Sequence, residues 1–430
     1  MTDNNNIFSR RSFLKTGLLA TTAFTIVPRH VLGGVGFVAP SDQITVGFIG
    51  TGKQGRGLIG AFANKAKIIA GCDVDARKLE NFQNLIRQRY ERQGTPNHVI
   101  KTYRDFRELL NNKEIDAVVI TTPDHWHAIH VIETAKAGKD IMCEKPFAHD
   151  INQGRLMVQA VEKYEKVLQV GSQQRSNRNF RNACRLVRNG HIGDIIEVKV
   201  SCGPPPKKFD LPAETKPDYL DWEMWIGPAE FNHFNAELSP PLERDIFPNW
   251  RNYKEYGNGM TADWGTHMFD IAQWGLGTDH TGPVAVYPPG ADHRQLTFLY
   301  ENGIKMTHED FGRGYGVRFI GTRGVVDISR EYFETLPANL ASHEFGENDI
   351  KLYESNDHYQ DWIDCIRARR KPICTAETGH RTATICFITN ICYELRRPLR
   401  WDPVKEEFLN DAEANRMRAG YLRAPWTMIV

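Results

Sequence analysis

Three stretches of the chain hold residues that could do chemistry together. Asp263 and His267 stand four apart in Met260-Thr261-Ala262-Asp263-Trp264-Gly265-Thr266-His267. On a helix that spacing puts both on one face. A carboxylate beside an imidazole raises its pKa and orients the ring, which suits removal of a hydroxyl proton as hydride leaves the carbon. Three plainer readings fit the same spacing: a helix-stabilising contact, a satisfied core histidine, or two ligands of a metal site. No third or fourth ligand is spaced to suggest a metal. Lys145 lies between Glu144 and Pro146. There its ammonium could hydrogen-bond a ribose hydroxyl and orient a nicotinamide, although a lone lysine is more often solvated surface. The third stretch, Gly50-Thr51-Gly52-Lys53-Gln54-Gly55, follows the run Ile44-Thr45-Val46-Gly47-Phe48-Ile49. A strand feeding such a turn binds a dinucleotide pyrophosphate: the first glycine makes the turn, the second admits phosphate to the backbone, and the third packs helix on strand. The helix start adds free N–H groups and a positive dipole end.

The surrounding elements would position these groups. Leu58, Ile59 and Phe62 sit at helical spacing after the turn, and a second strand, Ile68 to Cys72, ends in Asp73, about 20 residues downstream of the motif as a ribose-binding acid should be. Asp73 would oppose a 2′-phosphate by at most roughly 4 kcal/mol, favouring NAD over NADP. Lys53 and Arg56 would weaken that preference, and Asp73 or Asp75 could instead cap the helix starting near Ala76. Ala117 to Thr121 reads as a buried parallel strand that ends at Thr122-Pro123-Asp124-His125, beside the cofactor crevice. A helix over Ala128 to Ala137, stopped by Gly138, leads to a strand, Asp140 to Cys143, that delivers Glu144-Lys145-Pro146 to the same edge.

Residues 43–165 therefore read as a dinucleotide-binding α/β domain. From 166 to 430 the pattern becomes antiparallel, with helices on one face. Ile196, Val198 and Val200 alternate with polar residues as in a half-buried strand. Leu296–Tyr300 with Ile304–Met306, and Val317–Ile320 with Val325–Ile328, read as hairpins. Tyr359, Trp362, Ile363 and Ile366 form a core stripe. Between the halves lie a proline-rich loop, 203–217, and an aromatic segment running from Tyr219 to Trp250.

The chain has 430 residues, 41% hydrophobic, and a formal charge of +1. It has room for two or three domains, and no global field draws it to nucleic acid. Its 8 cysteines show no CxxC or metal-type spacing, so they read as buried thiols. Residues 1–42 read as an export segment and linker. Ser9-Arg10-Arg11-Ser12-Phe13-Leu14-Lys15, followed by the apolar run from Gly17 to Val27, matches a twin-arginine signal, which implies the export machinery as a partner and a periplasmic destination. A basic tail is the alternative, and no clear cleavage point is visible.

The stretches GFIGTGKQGRG, CDVD, TTPDHWHA, CEKPFA, QVGSQQRS and DWGTHMFDIAQWGLG together resemble the Gfo/Idh/MocA oxidoreductases over nearly all of residues 43–430. The resemblance implies an α/β protein: an N-terminal Rossmann domain followed by an α+β domain whose large open, mostly antiparallel sheet often joins copies into homo-oligomers. It implies NAD as cofactor, Lys145 and His267 as catalytic residues, and Asp263 as their support. Gln54, Thr122 and Glu144 belong to the cofactor crevice, and the family pattern sets Asp124, His125, Gln173 and Arg175 near the nicotinamide. Trp250, Arg251 and Tyr253 are substrate candidates. The expected reaction is hydride exchange with a sugar, glycoside or polyol, with aromatic side chains stacking on the sugar unless they serve only in packing. The Tyr-and-His pattern of the family's N-acetylgalactosaminidase branch is not evident. Redox-neutral glycoside cleavage and a non-catalytic binding role are the alternatives.

Overall fold

The first strands are apolar on both sides, as strands covered by helices on both faces must be. The computed structural model describes residues 43–430; the twin-arginine stretch and the apolar run after it lie outside them. Strands β1 (Thr45–Ile49), β2 (Lys67–Cys72), β3 (Lys101–Tyr103), β4 (Ala117–Ile120), β5 (Asp140–Cys143) and β6 (Leu168–Val170) form a six-stranded sheet in the order β3-β2-β1-β4-β5-β6. Every pairing is parallel. The order reverses between β1 and β4, which opens a crevice at their carboxyl ends. Since β6 pairs with β5, the sheet runs past the break expected at 165. The helix expected from Ala128 begins earlier, spanning Asp124–Lys136.

The second sheet has nine strands: β7 (Ile195–Ser201), β8 (Ala285–Tyr287), β9 (Leu296–Leu299), β10 (Lys305–His308), β11 (Gly316–Gly321), β12 (Val325–Ile328), β13 (Phe333–Leu336), β14 (Leu399–Asp402) and β15 (Glu407–Phe408). Their order is β13-β12-β11-β7-β10-β9-β8-β14-β15. Both expected hairpins form. β7 is antiparallel to β11 but parallel to β10, so the sheet is mixed at its centre. The register shifts opposite Ile196, and that residue is 55% exposed rather than core, because a bulge breaks the alternation. Helices Arg178–Arg188, Gly265–Leu276 and Ala376–Leu395 pack on this half.

The stripe at Tyr359–Ile366 is core, but of the first sheet. Helix His358–Ala368 returns there, and Trp362, Ile363 and Ile366 join Val46, Phe48, Phe62 and Val119 in one cluster. Phe62 and Trp362 meet edge to face at 5.7 Å. Most of the aromatic segment packs on itself, with Trp222 stacked on Trp225 at 4.6 Å. This cluster docks beside β2: Ala76 N–H donates to Tyr219 O and Asp221 N–H to Val74 O, each at 3.0 Å. All eight cysteines are buried free thiols.

Candidate active site

The glycine turn leaves β1 and opens helix Lys53–Phe62. Gly50 has φ +91°, and a Cβ there would lie 2.8 Å from the Thr121 backbone; one on Gly55 would lie 2.5 Å from Gly50 O. A Cβ on Gly52 would meet nothing within 4 Å, and no side chain caps the helix. Backbone N–H groups therefore face open space at a helix N-terminus, and the turn fits a pyrophosphate.

The two aspartates after β2 divide the roles considered for them. Asp75 caps the next helix, accepting from Arg77 and Lys78 N–H at 3.0 and 3.1 Å. Asp73 accepts from Thr51 N–H at 2.7 Å, from Thr51 Oγ1 at 2.9 Å and from Asp75 N–H at 2.9 Å. It braces the glycine turn while also lining the adenosine end of the crevice. Lys53 and Arg56 are both held by Asp245, at 2.5 and 3.0 Å.

A cavity of about 830 Å³ adjoins this turn. The two spaces share Gln54, Thr121, Thr122, Phe247, Trp250 and Arg251, so one groove leads from the adenosine end to the cavity. Lys145 leaves the end of β5, and its Nζ donates to Asp263 O and Asp263 Oδ1, both at 2.8 Å. Arg251 Nε donates to the same Oδ1 at 3.1 Å. Burial works to raise the Asp263 carboxyl, but the Lys145 ammonium and then the Arg251 guanidinium outweigh it and hold it at about 2.

His267 differs from the sequence expectation. Helix Met260–Asp263 ends before helix Gly265–Leu276 begins, so Asp263 and His267 lie on successive helices rather than within one. No hydrogen bond joins their side chains among the described residues. Burial, then the charges of Lys145 and Arg330, lower the imidazole pKa well below the usual value instead of raising it; Asp263 opposes this only in part. His267 is thus held neutral. Its Nδ1 is buried without a partner among the described residues, which leaves Nε2 as the nitrogen available to the cavity it lines.

The remaining candidates separate. Gln54 Nε2 donates to Glu144 Oε1 at 2.9 Å, and Gln173 Nε2 donates to the same oxygen at 3.3 Å. All three line the cavity with Thr122, Asp124, Trp250 and Arg251. Burial pushes the Asp124 carboxyl well up, with the Asp263 charge adding to it. Three other candidates lie outside the cavity. Both ring nitrogens of His125 are engaged by carbonyls, Tyr256 O at 3.3 Å and Trp225 O at 3.0 Å, so it pins the aromatic segment; burial lowers its pKa to about 3. Arg175 is buried in a double ion pair, at 2.7 Å from Asp270 and 2.8 Å from Asp279. Buried polar groups are satisfied internally when no ligand reaches them, and this one is structural. Tyr253 packs in the aromatic cluster.

Several lining residues had no sequence signal. Arg330 follows β12, and its guanidinium lies 4.6 Å over Trp264. Tyr359 reads as core in the stripe yet reaches the cavity wall. Of the aromatic segment, Phe247 and Trp250 reach the cavity, while Trp222, Trp225 and Phe234 serve as packing. The one grouping of metal-ligand type among the described residues, His191 with His343 and Asp349, does not line this cavity.

Residues 44–172 match the NAD-binding Rossmann-fold model of the Gfo/Idh/MocA oxidoreductases, and 177–428 match the C-terminal α/β domain model. The uncharacterized oxidoreductase YrbE of Bacillus subtilis is 23% identical over 80% of this chain and 93% of its own length. A glycosyl hydrolase family 109 protein of Shewanella pealeana is 31% identical over 44% of each chain. Among solved structures, aldose-aldose oxidoreductase from Caulobacter crescentus has a TM-score of 0.58 at 19% identity, covering 83% of this chain and 99% of that one. Levoglucosan dehydrogenase in complex with NADH has a TM-score of 0.54 at 18% identity, covering 83% and 98%. A glycine turn open to phosphate, a lysine and a neutral histidine in one groove, and both domain models in succession agree: the chain belongs to the Gfo/Idh/MocA family of NAD(P)-dependent oxidoreductases acting on CH–OH groups.

Proposed function

We propose that the protein exchanges hydride between NAD and a hydroxyl or keto carbon of a sugar, glycoside or polyol. The observation that carries this is the neutral His267 and the Asp263-held Lys145 in one cavity continuous with the glycine turn. When bound, the nicotinamide supplies the hydride acceptor. Gly50, Gly52, Gly55 and Asp73 would hold the adenosine and pyrophosphate half of the cofactor, and Gln54, Thr122 and Glu144 would line the way to the reacting end. In oxidation, His267 Nε2 takes the hydroxyl proton while Lys145 Nζ hydrogen-bonds the same oxygen and stabilises its developing charge. Asp263 keeps the ammonium placed. Asp73 favours NAD over NADP, since Lys53 and Arg56 are occupied by Asp245. The names of the similar structures, among them a scyllo-inositol dehydrogenase, support the sugar or polyol class.

The cofactor is tightly held in this reading. Residues 219–251 cross the adenosine end through backbone bonds to Val74 and Ala76 and an ion pair from Glu243 to Arg77. Retention suits export by the twin-arginine route to the periplasm, where the enzyme oxidises one sugar and reduces another without releasing NAD. With association at about 10⁶ M⁻¹s⁻¹, even a nanomolar Kd allows escape within roughly a thousand seconds, so binding must be tighter. The polar face of the nine-stranded sheet, where Lys199 pairs with Glu309 and Arg318 with Asp327, is the surface through which copies would associate. The partial match to a family 109 glycosyl hydrolase favours one second reading, in which transient oxidation permits glycoside elimination without net redox.

The test is to purify the protein without added nucleotide, quantify released NAD(H) per chain, and follow reduction of the resident cofactor by sugars. Near-stoichiometric NAD(H), and loss of turnover in His267→Ala with the cofactor retained, are the expected results. Turnover by His267→Ala would overturn the base assignment. A stable keto-sugar formed with stoichiometric NADH would exclude the redox-neutral reading.

A further inference from the structure

The charges around the catalytic cavity are unevenly matched. Lys145 and Arg251 are both committed to Asp263, at 2.8 and 3.1 Å. Arg330, the remaining cation of the wall, makes no ion pair among the described residues. It is nonetheless held in place. Its guanidinium stacks over Trp264 at 4.6 Å. With the Gln174 amide oriented so that its nitrogen donates to His267 O at 2.8 Å, the amide oxygen accepts from Arg330 Nε at 3.3 Å. Trp264 lies under the guanidinium and Gln174 takes one edge. The two terminal nitrogens are left without a hydrogen-bond partner among the described residues, on an exposed side chain. A guanidinium fork presented in this way matches a planar carboxylate in bidentate geometry.

The neighbouring charges do not neutralise it. Asp263 and Glu144 act on Arg330 only through space. Burial pushes the Glu144 and Asp124 carboxyls up, Asp124 well up, and neither forms an ion pair with Arg330 among the described residues. Arg330 is also close enough to His267 to disfavour its protonation, which puts the free fork within one sugar's reach of the base.

We propose that Arg330 is a specificity residue that binds the carboxylate of an acidic sugar, making glycuronides rather than neutral glycosides the preferred substrates of this site. The proposal rests on the oxidoreductase reading for the reaction, but its test does not depend on turnover.

Binding of methyl glucuronide and methyl glucoside, with the matched galacturonide and galactoside pair, is measured by calorimetry on the cofactor-loaded protein. Each acid should bind about tenfold to a hundredfold more tightly than its neutral partner, the range expected of a charge-assisted hydrogen bond. In Arg330→Gln that ratio should collapse toward one, and Arg330→Lys, which keeps the charge but not the fork, should restore it only in part. Equal binding of acid and neutral sugars by the unaltered protein overturns the proposal, as does an acid preference that survives in Arg330→Gln. Cofactor reduction is followed in the same samples. Acid-selective binding without reduction by any of the four sugars would count against the redox reading and leave the Arg330 assignment standing.

Discussion

The proposed base, His267, is held neutral by burial and by the cations beside it. A solvent-exposed histidine in an oxidoreductase would leave an acid limb near its ordinary pKa of about 6.5. Here burial, Lys145 and Arg330 all favour the uncharged ring. The pH profile of single-turnover cofactor reduction should therefore stay flat through about pH 6.5 and fall only at lower pH, when the imidazole finally takes a proton. An inflection near 6.5 would show that the ring is not held neutral. Asp263 acts differently from a carboxylate that orients its histidine. With two cations on one oxygen and a pKa of about 2, it stays ionised across the working range and serves as the anchor of Lys145.

At the scale of elements, the glycine turn joins folding and binding in neighbouring positions that can be separated experimentally. Gly50 is required by the chain itself: its φ is +91° and a Cβ would press into the Thr121 carbonyl. Gly52 has open space where a Cβ would go. Gly50→Ala should destabilise the protein by more than about 1 kcal/mol, as a substitution incompatible with the backbone does, read as a lower urea midpoint. Gly52→Ala should keep the midpoint within about 0.5 kcal/mol, as a site free of contacts does, yet purify with much less NAD(H), because a methyl group now stands where phosphate approaches. Equal cofactor content in Gly52→Ala and the unaltered protein would remove the turn from the binding site.

Across the whole molecule, the two halves are interlocked. Helix His358–Ala368 belongs by sequence to the second half but completes the core of the first sheet around Trp362. Trp362→Ala should therefore cost about 3–5 kcal/mol and lower cofactor retention along with stability, measured by chemical unfolding and NAD(H) release. Acid tests the molecule as a whole. Burial holds His127, His149 and His358 at about 4 against an ordinary value of 6.5. They are neutral in the fold, while the unfolded chain takes up their protons below about pH 6.5. Their contribution is thus full above that value and is lost as pH falls toward 4, at up to about 1.4 kcal/mol per pH unit for each. Asp73, Asp124, Glu144, Asp150 and Asp270, raised by burial, work in the opposite direction. With His125, His130, His191, His267, His308 and His380 also lowered, nine histidines outnumber these five carboxyls, so Tm should drop between about pH 7 and about pH 5.

Local chemistry was legible in the residues. The glycine turn, the buried strands, the hairpins and Lys145 at a strand end follow from spacing and side-chain type, and they led to the dinucleotide-binding domain and the antiparallel second half, while the catalytic roles proposed for Lys145 and His267 came from the family resemblance. Tertiary structure decided where each polar side chain found its partner. Arg175 and His125 sit in stretches typical of the family's cofactor site. Arg175 is spent on Asp270 and Asp279, and His125 on carbonyls of the aromatic segment. Asp263 and His267 have helical spacing but fall on separate helices, and Asp263 turns to Lys145, 118 positions away. Arg330 is an ordinary arginine in the sequence and becomes a cavity cation with no ion pair among the described residues once β12 is in place. A one-dimensional pattern records which face a residue occupies, whereas the charge and pKa of a buried group depend on neighbours brought from distant parts of the chain.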